Sequence, residues 1–137
     1  MPQPDFFGFL AQAVEALKEQ APFAYRRFHA QFAPLRACLS PGDDTRTVWL
    51  DGDRLAIRDG VHDAAVRARF ELATIDDLVD GRLTLLDALI GERLWLSGRP
   101  EHVERFFDAF TTFIIGSMRS HKMQALMAAF RGHRQPD

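Results

Sequence analysis

The side chains of this chain that could do chemistry are scattered, and no spacing joins them into a known catalytic pattern. Two histidines one helical turn apart with an intervening glutamate would mark a zinc peptidase, and no pair shows that spacing. The histidines stand at His29, His62, His102, His121 and His133. The sequence also has no glycine-rich phosphate loop and no serine in a nucleophile-elbow context. We therefore predict a protein that is not an enzyme, with no catalytic residue, no metal and no cofactor.

Two further groups of reactive side chains have simpler structural explanations. Arg36 lies near Cys38 in sequence and could lower the pKa of its thiol, but a lone cysteine more often fills a small apolar space. A single cysteine also excludes an intramolecular disulfide, which fits a reducing compartment. The aspartates that form an apparent cluster lie in turn sequences, where aspartate hydrogen-bonds its own backbone. They are Asp43, Asp44, Asp51 and Asp53.

Length, charge and hydropathy restrict the class of protein further. The chain has 137 residues and no evident linker, which predicts a single domain over residues 1–137. Its formal net charge of -2 at pH 7 is too small to predict a nucleic-acid or anionic-membrane partner. The first residues lack the basic start and cleavage site of a signal peptide, and no apolar run reaches the length of a transmembrane span. A cytoplasmic location is expected.

The stretch from Ala64 to Phe110 organises the rest of the chain. It opens with strict alternation, in which residues 64, 66, 68, 70 and 72 are apolar while residues 67, 69 and 71 are charged, as in a half-buried strand. Thr74 and Thr84 each stand where a helix N-cap would, with an aspartate three residues later. The two predicted helices are short, Ile75–Asp80 ending at Gly81 and a second one ending at Gly91.

These two helices carry too much leucine and isoleucine for their length. They cannot bury those side chains against themselves, so they must cover a sheet or a guest molecule. A second strand follows over Glu92–Ser97, and Pro100 suits the first turn of a long helix because its missing N–H is not needed there.

The run from Gly81 to Gly98, GRLTLLDALIGERLWLSG, resembles the signature of the sterol carrier protein type 2 (SCP-2) family. That signature has a short helix, a glycine, an apolar stretch with Thr, Ser or Asn before a proline, a small-residue turn, and Gly-x-x-apolar-x-apolar-x-Gly. Leu85 stands where many members have the proline. The resemblance extends over Arg54–Phe110. It implies an α+β (α/β) fold with a mostly antiparallel, five-stranded curved sheet covered by helices, and an apolar tunnel between the two layers.

The remaining sequence supplies the other elements. An N-terminal helical part, residues 1–40, contains an amphipathic helix that Asp5 would cap and that ends before Pro22, then a second helical piece over Phe23–Phe32. These helices are interpreted as packing on the sheet, with a mobile cover or a docking surface as the alternative. A hairpin of Thr45–Leu50 and Arg54–Arg58 turns at the Asp-Gly-Asp between them.

Four strands are visible by pattern, and the five-stranded sheet implied by the resemblance would need another within Leu35–Leu39. The predicted sheet-and-helix core spans residues 45–114. Gly116-Ser117 is predicted to break or kink the long helix, and a C-terminal helix is predicted over residues 117–131. The basic end, with Arg131, His133 and Arg134, is interpreted as solvated.

The resemblance implies that the chain binds or carries a hydrophobic ligand, since family members bind sterols, fatty acids, acyl-CoAs, phospholipids or isoprenoid lipids. Some bacterial relatives are accessory factors in ubiquinone synthesis. The candidate apolar lining is Val66, Phe70, Leu78, Leu83, Leu86, Leu89, Ile90, Leu94, Leu96, Phe106, Phe107, Phe110 and Phe113. The alternative is a module for protein–protein contact or homodimerisation, or an accessory factor in lipid or quinone metabolism, that uses the C-terminal helices rich in phenylalanine and methionine.

Overall fold

The centre of the structure, a computed structural model that describes residues 6–134, is a five-stranded sheet. The strands are β1 Ala37–Pro41, β2 Arg46–Asp51, β3 Arg54–Asp59, β4 Val66–Phe70 and β5 Leu94–Gly98. They lie in the order β3-β2-β1-β4-β5. The central pair β1 and β4 is parallel, whereas the other three pairings are antiparallel. The predicted five-stranded, mostly antiparallel sheet is confirmed, with the central parallel pair making it a mixed sheet.

Six helices accompany the sheet in the described range. They are α1 Phe6–Gln20, α2 Pro22–Phe32, α3 Leu72–Val79, α4 Leu85–Ile90, α5 Pro100–Met118 and α6 His121–Arg134. The helix α1 contacts β3, α2 contacts β2, and α5 contacts β4 and β5. The predicted cap at Asp5 lies outside the described residues. No helix between residues 6 and 134 is long and apolar enough to cross a membrane.

The hairpin of β2 and β3 forms as predicted. Asp51 pairs with Arg54 at its end, so the turn consists of Gly52 and Asp53. Gly52 has φ +62°, a left-handed conformation that glycine adopts at no steric cost. The turn sequence therefore fixes the register that places Val48 and Leu50 on the buried face.

The two predicted threonine caps have different outcomes. Thr84 caps α4 as predicted, because its Oγ1 accepts a hydrogen bond of 3.0 Å from the backbone N–H of Asp87. The prediction for Thr74 is wrong. The helix α3 begins at Leu72, and the buried Thr74 hydroxyl donates to the carbonyl oxygen of Arg93 at 3.1 Å. That tertiary contact, which ties α3 to the start of β5, is invisible in the local sequence.

At Gly116-Ser117 the helix is not broken, because α5 continues through both residues to Met118. Gly116 instead lets α5 pack closely against α1 and α2. A Cβ placed there would lie 2.6 Å from Cδ1 of Leu17 and 2.9 Å from Cβ of Ala24. The chain turns only after α5, and Ser120 starts α6 by accepting a 3.1 Å hydrogen bond from the N–H of Met123. The last helix therefore begins later than the predicted residue 117.

Candidate ligand cavity

A cavity of about 70 Å³ lies between the buried face of the sheet and the helices. Three strands and five helices contribute side chains to its wall. The strands supply Leu39, Ala68, Phe70 and Leu94; the helices supply Phe6, Phe9, Leu10, Thr74, Ile75, Leu78, Val79, Leu85, Phe106, Phe110, Phe113, Ile114, Ser117 and Met123. Among residues 6–134, no charged side chain belongs to this wall.

The two hydroxyls on the wall are already hydrogen-bonded to backbone. Thr74 donates to the carbonyl of Arg93, and Ser117 donates to the carbonyl of Phe113 at 2.7 Å. Each hydroxyl has thereby used its only donor and keeps acceptor lone pairs alone, whereas a buried water molecule needs about two to four polar partners. The cavity is therefore a dry space that favours hydrocarbon.

One side of the cavity is a packed aromatic cluster carried by α2 and α5. The ring of Phe110 lies 4.5 Å from that of Phe106 and makes an edge contact with Phe28 at 5.7 Å. Phe113 also packs against Phe28, at 5.4 Å between centroids. Aromatic pairs at such distances add to the stability of area burial alone, so this wall is expected to hold its shape.

Another part of the cavity wall comes from α3 and α6. Phe130 of α6 stacks on Phe9 of α1, with 4.7 Å between ring centroids. Arg131 forms ion pairs with Asp80 at 3.0 Å and with Asp76 at 3.5 Å. The expectation that this basic end is solvated is therefore wrong for Arg131. The carboxylate of Asp80 is the main reason that the pKa of Arg131 is raised.

A second ion pair joins α3 to the residue before β5. Nη2 of Arg93, just before β5, lies 2.7 Å from Oδ2 of Asp77. This hydrogen bond, with help from Arg82, holds the pKa of the Asp77 carboxyl below its usual range. The short helix is thus tied to the sheet through Asp77 and to α6 through its other acidic residues.

Of the thirteen residues that the sequence suggested for the lining, six meet at this wall: Phe70, Leu78, Leu94, Phe106, Phe110 and Phe113. The other seven lie outside it: Val66, Leu83, Leu86, Leu89, Ile90, Leu96 and Phe107. The helix α4 turns Leu85 and Ala88 inward. As a result Leu86 is 52% exposed and Ile90 is 72% exposed. Phe107 lines a surface groove between α2 and α5.

Sequence reasoning missed the contributions of the two chain ends to this wall. The sequence-based lining does not include Phe6, Phe9 and Leu10 of α1 or Met123 of α6, which the structure places on this wall. Their helical spacing signalled an apolar face, but spacing cannot distinguish a face that meets a cavity from one that meets other side chains.

The remaining reactive candidates have structural roles. Cys38 is buried, and burial raises the pKa of its thiol although Arg67 and Thr47 act in the opposite direction. Asp53, at the hairpin turn, accepts a 3.1 Å hydrogen bond from the hydroxyl of Tyr25. Within residues 6–134, no group of three or more His, Cys, Asp or Glu side chains is placed to hold a metal ion.

Comparison with known proteins gives matches to solved structures alone. No family model matches the sequence, and no curated protein matches it. Pisa1, a stereoselective inverting sec-alkylsulfatase from Pseudomonas sp., matches 60% of this chain at 19% identity with a TM-score of 0.47. The chain spans 13% of that enzyme's length, so the similarity indicates nothing about activity.

Three other structures match over nearly their whole length. A UbiJ-SCP2 ubiquinone synthesis protein has a TM-score of 0.56 at 11% identity, covering 82% of this chain and 98% of its own. Sterol carrier protein 2 has a TM-score of 0.55 at 17% identity, with the same coverage of 82% and 98%. Sterol carrier protein 2 from Yarrowia lipolytica, in its apo form, has a TM-score of 0.51 at 13% identity over 88% of this chain and 100% of its own. These matches and the sheet described above show that this chain has an SCP-2-like fold.

Proposed function

We propose that this protein binds and carries a hydrophobic ligand, a fatty-acyl, sterol-like or isoprenoid lipid, without carrying out a reaction on it. The observation that supports the proposal most directly is the dry cavity between sheet and helices, whose only hydroxyls are hydrogen-bonded to backbone. The names of the similar structures, a sterol carrier and a ubiquinone synthesis protein, favour the same class of ligand.

The driving force would be transfer of hydrocarbon from water into this space, at about 0.8 kcal/mol for each buried methylene. The cavity of about 70 Å³ is smaller than the roughly 300–1,000 Å³ of typical small-molecule pockets. Loading must therefore enlarge it, and we assign the movement to α3 and α6. Met123, which lines the cavity from α6, has an unbranched and adaptable side chain that suits such a change.

The alternative of a protein-contact or homodimerisation module built on the C-terminal helices has no comparable support. Met123, Met127 and Phe130 are buried against the rest of the chain, so α6 does not present them to a partner. A role as an accessory factor in lipid or quinone metabolism is compatible with carriage, because such a factor presents an apolar substrate to enzymes.

A pair of alanine-to-leucine variants tests the cavity directly. Ala68 lines it from β4, so Ala68→Leu should fill part of the space while keeping an apolar wall. Ala56 of β3 faces the other side of the sheet, and Ala56→Leu is the matched control. We expect Ala68→Leu to bind a fluorescent fatty acid about tenfold more weakly than the control, with an unchanged or higher melting temperature.

A charged variant of the aromatic wall gives an independent test. Phe110→Asp places a carboxylate against the cavity, where an ionised group costs several kcal/mol, and should abolish fatty-acid uptake. Uptake that is unchanged in both folded variants, Phe110→Asp and Ala68→Leu, would contradict the assignment of this cavity.

A further inference from the structure

The sheet face opposite the helices, called here the outer face, gathers arginine and tryptophan. Alternation along the strands directs Arg54, Arg58, Arg67 and Arg69 to it, and Arg36 reaches it from the residue before β1. Trp49 and Trp95, the only tryptophans of the chain, lie on the same face. The cross-strand register places Arg58 opposite Thr47, Thr47 opposite Cys38, and Cys38 beside Arg67, so the residues form a continuous row.

The outer face carries more positive than negative charge. Within the part of the chain that the structure describes, none of its five arginines forms an ion pair, whereas Arg46, Arg82, Arg93 and Arg131 elsewhere all do. The strands carry one carboxylate on this side, Asp51 at the end of β2. Since the whole chain has a formal charge of -2, this face stands out against a predominantly acidic remainder.

The tryptophans make the outer face partly apolar. The guanidinium of Arg36 lies 4.7 Å from the ring centroid of Trp49, and that of Arg69 lies 4.8 Å from that of Trp95. Between these side chains Cys38 and Thr47 are fully buried. The connection between β3 and β4 covers Thr47, whose hydroxyl donates to the carbonyl of Gly60 and accepts from the N–H of His62. Tryptophan and arginine are the residue types most enriched at the centres of protein interfaces.

We infer that the outer face is a docking site for an acidic surface of a partner protein. Charge complementarity requires an anionic partner. A nucleic acid is disfavoured because arginines already lie over the tryptophan rings, where bases would stack. A membrane is disfavoured because docking there would place the entire sheet between the bilayer and the cavity, a reason that rests on the proposed function. A protein bound at the outer face would leave the cavity, and the helices α3 and α6 that line it, accessible.

Intrinsic fluorescence tests this inference, since both tryptophans report on the outer face and neither lines the cavity. The titrant is a polyglutamate peptide. The triple variant Arg58→Glu, Arg67→Glu, Arg69→Glu should bind it about tenfold or more weakly than the native chain. The matched control makes the same charge change on exposed helix positions, with Arg26→Glu, Arg105→Glu and Arg119→Glu. We expect the control to bind within about twofold of the native chain, since rim charges away from a contact contribute little.

A second variant, Arg67→Gln, removes one charge without adding another and should weaken binding several-fold if the triple variant fails to fold. Absence of peptide binding by the native chain, or equal weakening by both triple variants, would overturn the inference. Tighter binding to phosphatidylglycerol vesicles or to an oligothymidylate than to the peptide, at equal concentrations of negative charge, would overturn the choice of a protein partner. None of these outcomes depends on whether the cavity binds lipid.

Discussion

Arg131 on α6 donates a hydrogen bond of 3.0 Å from Nη2 to Oδ1 of Asp80, at the end of α3. The contact joins segments that are 51 residues apart in sequence. Each of the two helices supplies part of the cavity wall, Leu78 from α3 and Met123 from α6. The ion pair therefore acts as a clasp across the part of the wall that we propose to move.

Removing this clasp should change ligand exchange more than stability. The side chain of Arg131 is 29% exposed, and ion pairs near the surface contribute about 1 kcal/mol or less. We expect Arg131→Gln to speed release of a fluorescent fatty acid several-fold in stopped-flow measurements and to lower the melting temperature only slightly. Lys122→Gln is the control, because it breaks an ion pair between α6 and Glu19 of α1 that does not reach α3. Equal rates for both variants would contradict a specific role for the clasp.

Close packing at Gly116 predicts a large loss of stability on a small substitution. Alanine normally favours a helix over glycine by up to about 1 kcal/mol. At Gly116, however, the added Cβ would come within 2.6 Å of Leu17 and 2.9 Å of Ala24, so the helices must separate. We expect Gly116→Ala to cost about 1–3 kcal/mol in urea unfolding. Gly132→Ala on α6, where a Cβ meets nothing within 4 Å, should be neutral or stabilising. A stable Gly116→Ala protein would show that α5 does not pack this closely.

The fold was largely predictable because most elements carry local signals. The alternation of β4, the hairpin around Gly52 and the cap at Thr84 all depend on residues next to one another in sequence. The strand β1 was harder to recognise because it is central and buried on both faces, so Ala37, Cys38 and Leu39 show no polar alternation. Thr74 and Gly116 misled the sequence reading because their contacts, with Arg93 and Leu17, are made across the fold.

The cavity was predictable in chemical character but only partly in its residues. The apolar excess of α3 and α4 indicated that they cover something, yet it could not show that α4 turns Leu86 and Ile90 toward solvent. The role of Met123 depends on α6 folding back against α1 and α5. The outer face was likewise predictable only in part. Alternation places Arg67 and Arg69 outward, but the contact of Arg69 with Trp95 depends on the pairing of β4 with β5.

Tyr25 provides a spectroscopic test of the packing of α2 on the hairpin. Burial, together with the hydrogen bond to the Asp53 carboxylate, raises the pKa of Tyr25 to about 12. It is the only tyrosine, so tyrosinate absorbance reports on this residue alone. Its folded pKa exceeds the unfolded value of about 10, so the contribution to stability is complete below pH 10 and is lost as the pH rises toward 12. We expect the titration midpoint to fall to about 10 in guanidinium and to move partway in Asp53→Asn. A native midpoint near 10 would contradict this packing.

Asp77 predicts a stability change at acid pH. Because its hydrogen bond to Arg93 lowers the folded pKa, the ionised form stabilises the fold above the unfolded pKa of about 3.9. That contribution is lost as the pH falls through the lower folded value. Urea midpoints should therefore decline less steeply below pH 4 in Asp77→Asn than in the native chain. Asp43→Asn, in an exposed loop, is the control and should leave the slope unchanged. If the urea midpoint of Asp77→Asn declined as steeply with pH as that of the native chain, a contribution of this ion pair to stability at acid pH would be contradicted.

The most direct test of lipid carriage is native mass spectrometry of the gently purified protein, followed by organic extraction of whatever dissociates. We expect a fraction of the protein to carry a bound species of lipid mass, and the extract to identify it as fatty-acyl, sterol-like or isoprenoid. If the protein arrives empty, incubation with a fatty acid and with an isoprenoid lipid should produce a one-to-one complex that Ala68→Leu fails to form. An empty protein that stays empty after both incubations would contradict the proposal that this cavity carries a lipid.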